Sequence, residues 1–145
     1  MGKKIIAVII ITLGIIIGLP ILIANTQPTI EVLSVTRKTK LSPLALKIRI
    51  SNKGFMDLTL RNVKIKLIID GLDYPYNPSV DFYLALPNSM LGEDGFILRM
   101  NSYREYTIRF DVPFKSQVKS MILIMEGEIT VFWYTQHFIS KAIIV

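Results

Sequence analysis

An uncharged run of 20 residues, IIAVIIITLGIIIGLPILIA at positions 5–24, most limits what this chain can fold into. As an α-helix rising about 1.5 Å per residue it would be roughly 30 Å long, which matches the hydrocarbon core of a bilayer. The whole chain is 51% hydrophobic with a mean hydropathy of +0.46, which is high for an ordinary soluble domain. We therefore predict an N-terminal transmembrane anchor over residues 1–25.

The flanks of this run predict an orientation and leave one alternative open. Only Lys3 and Lys4 precede it, and basic residues beside a membrane segment favour the cytoplasmic side. The rest of a single-pass protein is then expected outside the cytoplasm. A secretory signal, cleaved or uncleaved, is the alternative. Signal h-regions are usually about 7–15 residues long and end at a small-x-small site, whereas this run is longer and offers only a poor site around Ala24.

After the run, the sequence changes from continuous apolar residues to alternation. Residues 26–29 are predicted to be a linker, because Pro28 and its polar neighbours stop a helix. Apolar residues alternate with basic ones in LALKIRIS (44–51) and in LRNVKIKLIID (60–70), as in strands with one buried face. The second segment ends at Asp70-Gly71, a dipeptide that favours a two-residue hairpin turn because Gly accepts positive φ.

The remaining segments complete an all-β pattern. Strands are predicted at 30–36, 80–86, 96–100 and 103–112, and MILIMEGEITVFWYT (121–135) and HFISKAIIV (137–145) are predicted to form two or three more. Residues 74–78 are expected to be extended or turn-like, and 113–120 to be a loop or a single helical turn. Roughly seven or eight short strands predict an Ig-like or fibronectin-III-like antiparallel β-sandwich over residues 30–145, preceded by the transmembrane helix. The chain has no Cys, so packing must stabilise this domain without disulfides.

Residue types that carry catalysis or bind metals are sparse. With no Cys and one His, a thiol nucleophile is excluded, and His137 alone cannot supply the several ligands of a zinc site. The pairs Glu93-Asp94 and Glu126/Glu128 are conceivable calcium or acid–base sites, but solvated turn or strand positions explain them more simply. We predict that the protein is not an enzyme and has no catalytic residue, cofactor or metal.

A lysine-containing turn, SNKGF at positions 51–55, raises the question of phosphate binding. A phosphate-binding P-loop needs several glycines, a Lys followed by Ser or Thr, and a helix after it. Here Gly54 precedes Phe55 and a strand follows. We predict a strand–turn–strand unit and no small-molecule substrate.

The net charge of +6 raises the question of nucleic acid. Basic and aromatic residues on a sheet can bind single strands, but basic strand faces are more often simply solvated. We expect no nucleic-acid partner, and anionic lipid headgroups or cell-surface polymers fit better. The residues concerned are Lys47, Arg49, Lys64, Lys66, Tyr74, Tyr76 and Tyr83.

The strand layout resembles a known family. The segment LALKIRISNKGFMDLTLRNVKIKLIIDG is similar to the hallmark strand–turn–strand unit of group 2 late embryogenesis abundant (LEA) proteins and their water-stress/hypersensitive-response (WHy) domains. Asn52 stands at the first position of the family's Asn-Pro-Asn-like turn, with Lys53 and Gly54 in place of the next two. YREYTIRFDVP and EGEITVFWYTQHFISKAIIV resemble later elements. The resemblance implies an archaeal-type Ig-like sandwich that protects against stress through weak contacts with proteins or membranes, without catalytic residues.

Two functional hypotheses remain open. The first is a membrane-anchored extracytoplasmic sandwich with a binding, envelope or stress-protective role, contacting lipid through its N-terminal helix. The second is a pilin-like or envelope-complex subunit that assembles through this helix and its edge strands. The apolar closing segment HFISKAIIV either pairs within its own sheet or offers an edge to envelope proteins or another copy.

Overall fold

The uncharged run lies in a helix, α1, which spans Gly2–Asn25. The structure is a computed structural model, and it describes residues 2–25, 27–77, 80 and 96–145, with the backbone alone for 19–25. The apolar side chains of α1 from Ile5 to Ile17 are about half exposed or more. No helix in the described residues is both long and apolar enough to cross a membrane.

The rest of the described chain forms two antiparallel sheets, which confirms the predicted all-β class. The strands are β1 (Thr29–Thr36), β2 (Leu44–Asn52), β3 (Leu58–Ile69), β4 (Leu72–Pro75), β5 (Phe96–Leu98), β6 (Ser102–Phe110), β7 (Met121–Val131) and β8 (Tyr134–Ile143). The first sheet has the strand order β1-β2-β6, and the second has the order β4-β3-β7-β8 with β5 also paired to β3.

The predicted alternation places one face of each sheet in a shared core. Leu46, Ile48 and Ile50 of β2 are fully buried, and the same holds for Leu123 and Met125 of β7. The residues between them are basic in β2 (Lys47 and Arg49) and apolar in β7 (Ile124), and they are more exposed. Each sheet therefore has one buried face and one face toward solvent, as in a sandwich.

A bulge in β3 corrects the simple alternation predicted for residues 60–70. The register shifts between Arg61 and Lys64, and Asn62 in the bulge has φ of 51°. One extra residue there brings Leu60 and Val63 to the same buried face, although they are three positions apart.

Gly127 lies opposite this bulge because a side chain would not fit there. A Cβ at this position would lie 2.9 Å from the Arg61 carbonyl oxygen, 3.1 Å from Phe138 Cε1 and 3.2 Å from Val63 Cα. Such contacts are too close for ordinary carbon atoms. The Gly between two glutamates is therefore a packing requirement of the sheet.

The strand register defines two ends of the sandwich. At one end, here called the linker end, Thr29 begins β1 opposite Ser51, Asn52 lies opposite Ser102, and β7 turns into β8 at Val131–Tyr134. The far end holds the β1–β2 loop (37–43), the β3–β4 turn and the loop 111–120. Since α1 precedes β1, it enters the sandwich at the linker end.

One local prediction differs from the structure, two agree with it and one lies outside the described residues. Residues 113–120 form a loop, which is one of the two predicted alternatives. Within the segment predicted to be extended or turn-like, Tyr74 and Pro75 end the strand β4. The last two strands are separated at Phe132-Trp133, not near Gln136, because aromatic residues that favour strands occupy the turn itself. The predicted strand at 80–86 lies outside the described residues apart from Val80.

Candidate functional site

The carboxylates singled out in the sequence lie among basic partners on the outer face of the second sheet. Glu128 is opposite Arg61 on one side and His137 on the other, and Glu126 is opposite Lys64. Asn62 Nδ2 also donates to Glu128 Oε2 at 3.3 Å. The described part of the chain contains no group of three or more His, Cys, Asp or Glu residues placed to hold a metal ion. Glu93 and Asp94 lie outside the described residues.

The basic outer face of β2 is largely compensated by one carboxylate. Arg49 donates to Glu105 Oε1 from Nε at 3.1 Å and from Nη2 at 2.7 Å, and Lys47 lies 3.8 Å from Glu105 Oε2. The hydrogen bond lowers the pKa of Glu105 and raises that of Arg49. The guanidinium also lies 4.5 Å from the centre of the Tyr103 ring. These contacts leave this face less available to a polyanion than its sequence suggests.

The other basic strand residues have acidic neighbours too. Lys66 lies 3.6 Å from Asp73 across the β3–β4 pair. Tyr74 and Tyr76 are half-buried against the core, where Tyr76 meets Phe110 edge-on at 6.0 Å. They are therefore not an open stacking platform for bases. Tyr83 lies outside the described residues.

The SNKGF turn is organised by a buried asparagine. Asn52 is 1% exposed. Its Nδ2 donates to the carbonyls of Met56 at 2.7 Å and Leu98 at 3.0 Å, and its Oδ1 accepts from the Gly54 N–H at 3.0 Å. The side chain thus ties β2, the turn and β5 together. The turn has a structural explanation that needs no phosphate.

Asp70-Gly71 forms the predicted two-residue hairpin turn at the far end. Both residues have positive φ, 51° and 84°, which suits the twist of a hairpin. Asp70 Oδ1 also accepts from the N–H groups of Lys119 and Ser120, each at 2.9 Å. These two hydrogen bonds lower the pKa of Asp70, and Lys115 at 3.8 Å acts in the same direction.

A small apolar cavity also lies at the far end. It has a volume of about 150 Å³, and Arg37 lies at its side. The guanidinium of Arg37 is tied to the carbonyls of Ser42 (3.0 Å from Nε) and Val112. Arg37 therefore connects the β1–β2 loop (37–43) to the loop 111–120. The cavity is lined mainly by Leu44, Ile69, Val112, Phe114, Val118 and Met121.

The linker end carries a group of exposed apolar side chains that sequence reasoning missed. Phe132 is 77% exposed, Trp133 68%, Phe55 63% and Met100 58%. They lie on three neighbouring turns, because Asn101 N–H bonds to the Gly54 carbonyl and Met100 and Phe132 line one groove. We call these four residues the linker-end apolar surface.

The backbone of this surface is unusual at Phe132. Its φ is 53°, in the left-handed region that bulky residues rarely adopt and that turns normally fill with Gly, Asn or Asp. Phe132 and Trp133 lie side by side, with ring centres 6.0 Å apart. The sequence does show this turn, because Phe132-Trp133 separates two alternating segments. It was not predicted because aromatic residues favour strands.

Comparisons with known proteins found similarity among solved structures only. No protein-family model and no curated protein matches the sequence. Among solved structures, the chain is similar to an inactive mutant of a GH20 exo-β-N-acetylglucosaminidase from Vibrio harveyi, with 14% identity and a TM-score of 0.38. The match covers 80% of this chain but only 17% of that enzyme. A similarity this distant carries no inference about activity.

Proposed function

We propose that this chain is a membrane-anchored sandwich with a non-catalytic binding or protective role at the cell envelope. The observation that carries the proposal is α1: a helix whose large apolar side chains from Ile5 to Ile17 are about half exposed or more, joined by a short linker to a domain with its own core. Such a helix is unfavourable in water and needs a lipid or protein environment.

Extraction of membranes tests the anchor. The full chain is expected to stay in the membrane pellet after alkaline carbonate treatment, which removes peripheral proteins. A matched variant with Ile9→Lys and Ile16→Lys is expected to leave the pellet, because charged residues at mid-helix cost about 2.5–3.5 kcal/mol each. Release of the unaltered chain by carbonate would contradict the anchor.

The orientation needs its own measurement. Lys3 and Lys4 favour the cytoplasmic side for the N-terminus, and we therefore propose that the sandwich lies outside the cytoplasm. Protease added to intact cells is then expected to digest the sandwich, with detergent-opened cells as the control for digestibility. Digestion only after the cells are opened would reverse the orientation.

The finer fold name and the family belong to the same proposal. An Ig-like or fibronectin-III-like arrangement is supported by the two antiparallel sheets around one core. The resemblance to WHy domains stays a prediction, supported by the Asn52 turn. Protection of a dehydration-sensitive enzyme by the full chain in mild detergent, beyond that given by an equal mass of albumin, would support the protective role. Protection no better than albumin would remove it.

A row of isoleucines favours the alternative, a pilin-like or envelope-complex subunit. Ile68, Ile122 and Ile143 lie opposite one another across β3, β7 and β8 on the outer face of the second sheet. Ile143 is 79% exposed on β8, and in the described part of the chain β8 forms a ladder only with β7. Purification in mild detergent tests this: a stoichiometric partner or oligomer lost in Ile143→Lys supports the subunit. A monomer without a partner refutes it.

A further inference from the structure

We propose that the linker end of the sandwich docks on the surface of the bilayer that holds α1, with Phe55, Phe132 and Trp133 entering the headgroup region. This inference rests on the proposed membrane anchor and deepens it. It assigns the exposed apolar side chains of three turns to one occupant, the lipid interface.

The covalent connection is the first argument. α1 ends at Asn25 and β1 begins at Thr29, and these four steps of chain reach at most roughly 14 Å. Thr29 lies opposite Ser51, directly before Asn52 and the turn that carries Phe55. On the second sheet, β1 begins beside Ser140, since the Ile30 N–H donates to Ser140 Oγ at 3.0 Å. A bilayer that holds α1 therefore lies closer to the SNKGF turn than to the far end, which is separated from Thr29 by the length of β1.

The chemistry of the exposed side chains is the second argument. Trp and other aromatic residues concentrate where an apolar body can enter lipid while polar groups stay wet. The four residues of the linker-end apolar surface, Phe55, Met100, Phe132 and Trp133, are each more than half exposed. Lys53 and Arg99 are exposed beside this surface, and neither forms an ion pair in the described residues. These two cations suit phosphate-bearing headgroups. One carboxylate, Asp57, lies in the same groove, where its Oδ1 accepts from the Met100 N–H at 2.8 Å.

The strained turn is the third argument. Phe132 has φ of 53°, although Asn or Gly adopts this conformation at less cost. In this turn the rings of Phe132 and Trp133 point outward, so they contribute no packing to the core. Strain of this kind is typical of residues placed for an interaction.

Trp133 is the single tryptophan of the chain and reports directly on this contact. The full chain is reconstituted into vesicles of phosphatidylcholine and phosphatidylglycerol and recovered by flotation. We expect Trp133 emission to shift to shorter wavelength, acrylamide quenching to fall several-fold relative to detergent, and lipids brominated near the headgroup to quench it. The matched control is the Trp133→Phe, Leu41→Trp variant, because Leu41 is 98% exposed at the far end. There we expect full acrylamide quenching and none by brominated lipid.

A second pair of variants tests the surface without moving the reporter. Phe55→Ser is expected to restore part of the acrylamide quenching of Trp133. Phe114→Ser, at an exposed far-end phenylalanine, is expected to leave it unchanged. Circular dichroism in detergent checks that both variants are folded like the parent.

The outcomes separate the docking from the anchor. Chains that float while both reporters are fully quenched by acrylamide refute the docking and leave the anchor intact. Chains that float with both reporters protected refute an end-on contact. Chains that do not float refute the anchor, and the docking with it.

Discussion

Replacing Asn52 by Ala is expected to lower the stability of the sandwich by about 3 kcal/mol. The side chain is 1% exposed and makes three hydrogen bonds to backbone groups of Gly54, Met56 and Leu98. Each such bond contributes about 1 kcal/mol net, and a buried group left without a partner costs about 1–3 kcal/mol. The bond to Leu98 is buried, so its loss is the costliest.

The loss is large enough to measure in a thermal melt of the full chain in mild detergent, followed by circular dichroism. For a sandwich of this size, 1 kcal/mol corresponds to roughly 4 °C, so Asn52→Ala is expected to melt about 12 °C lower. Lys53→Ala, an exposed change in the same turn, is the matched control and is expected to stay within about 0.5 kcal/mol of the parent.

The result that refutes the reasoning is an Asn52→Ala melt as high as that of Lys53→Ala. Asn52 would then not organise the turn, and the turn would need another explanation. Asn52→Asp adds a second test, because a carboxylate would face the carbonyls of Met56 and Leu98 that now receive N–H donors. It is expected to be destabilised at neutral pH and to recover partly in acid, where a protonated carboxyl can donate again.

Substitutions at glycine and turn residues are also expected to change the stability measured in these thermal melts. Gly127→Ala is expected to cost about 3 kcal/mol, because its Cβ would lie 2.9 Å from a backbone oxygen. At Gly71 a side chain has open space, but φ is 84°, so Gly71→Ala is expected to lose about 1 kcal/mol of stability. Equal losses in Gly71→Ala and Gly127→Ala would contradict the close approach at Gly127. Phe132→Asn is expected to gain about 1 kcal/mol by relieving strain, and a lower melt would contradict strain there. The lowered pKa of Asp70 means that its charge stabilises the fold above its ordinary pKa and that this contribution is lost as the pH falls through the lower, folded-state pKa. Asp70→Asn is therefore expected to melt below the parent at neutral pH, with a gap that closes in acid; a gap independent of pH would show that charge is not the cause.

The strands were predictable where burial alone decides the pattern. β2 and the second half of β3 alternate without interruption, because one face meets the core and the other meets water. The bulge at Asn62 was not predictable in the same way. It shifts the alternation by one residue, and a single sequence does not say which of two phases faces the core until the partner strand, with Gly127 opposite, is known.

The charged residues show a similar limit. The sequence correctly suggested that Lys47 and Arg49 lie on a wet face, but Glu105 is 56 residues from Arg49 along the chain. Pairing across strands that are distant in sequence depends on topology. The basic face was therefore visible in the sequence, while its compensation was not.

The β3–β4 and β7–β8 hairpin turns of the second sheet differ in how well their residues suit a tight turn. Asp70-Gly71 follows the turn rules: both residues suit positive φ, and the carboxylate also binds two N–H groups of the neighbouring loop. Phe132-Trp133 breaks those rules, with a bulky residue at positive φ and two exposed rings. Folding alone would favour the first solution at both ends. The departure occurs at the end that we propose to face the bilayer, and a contact outside the sandwich is the reason that we propose for the choice of residues there.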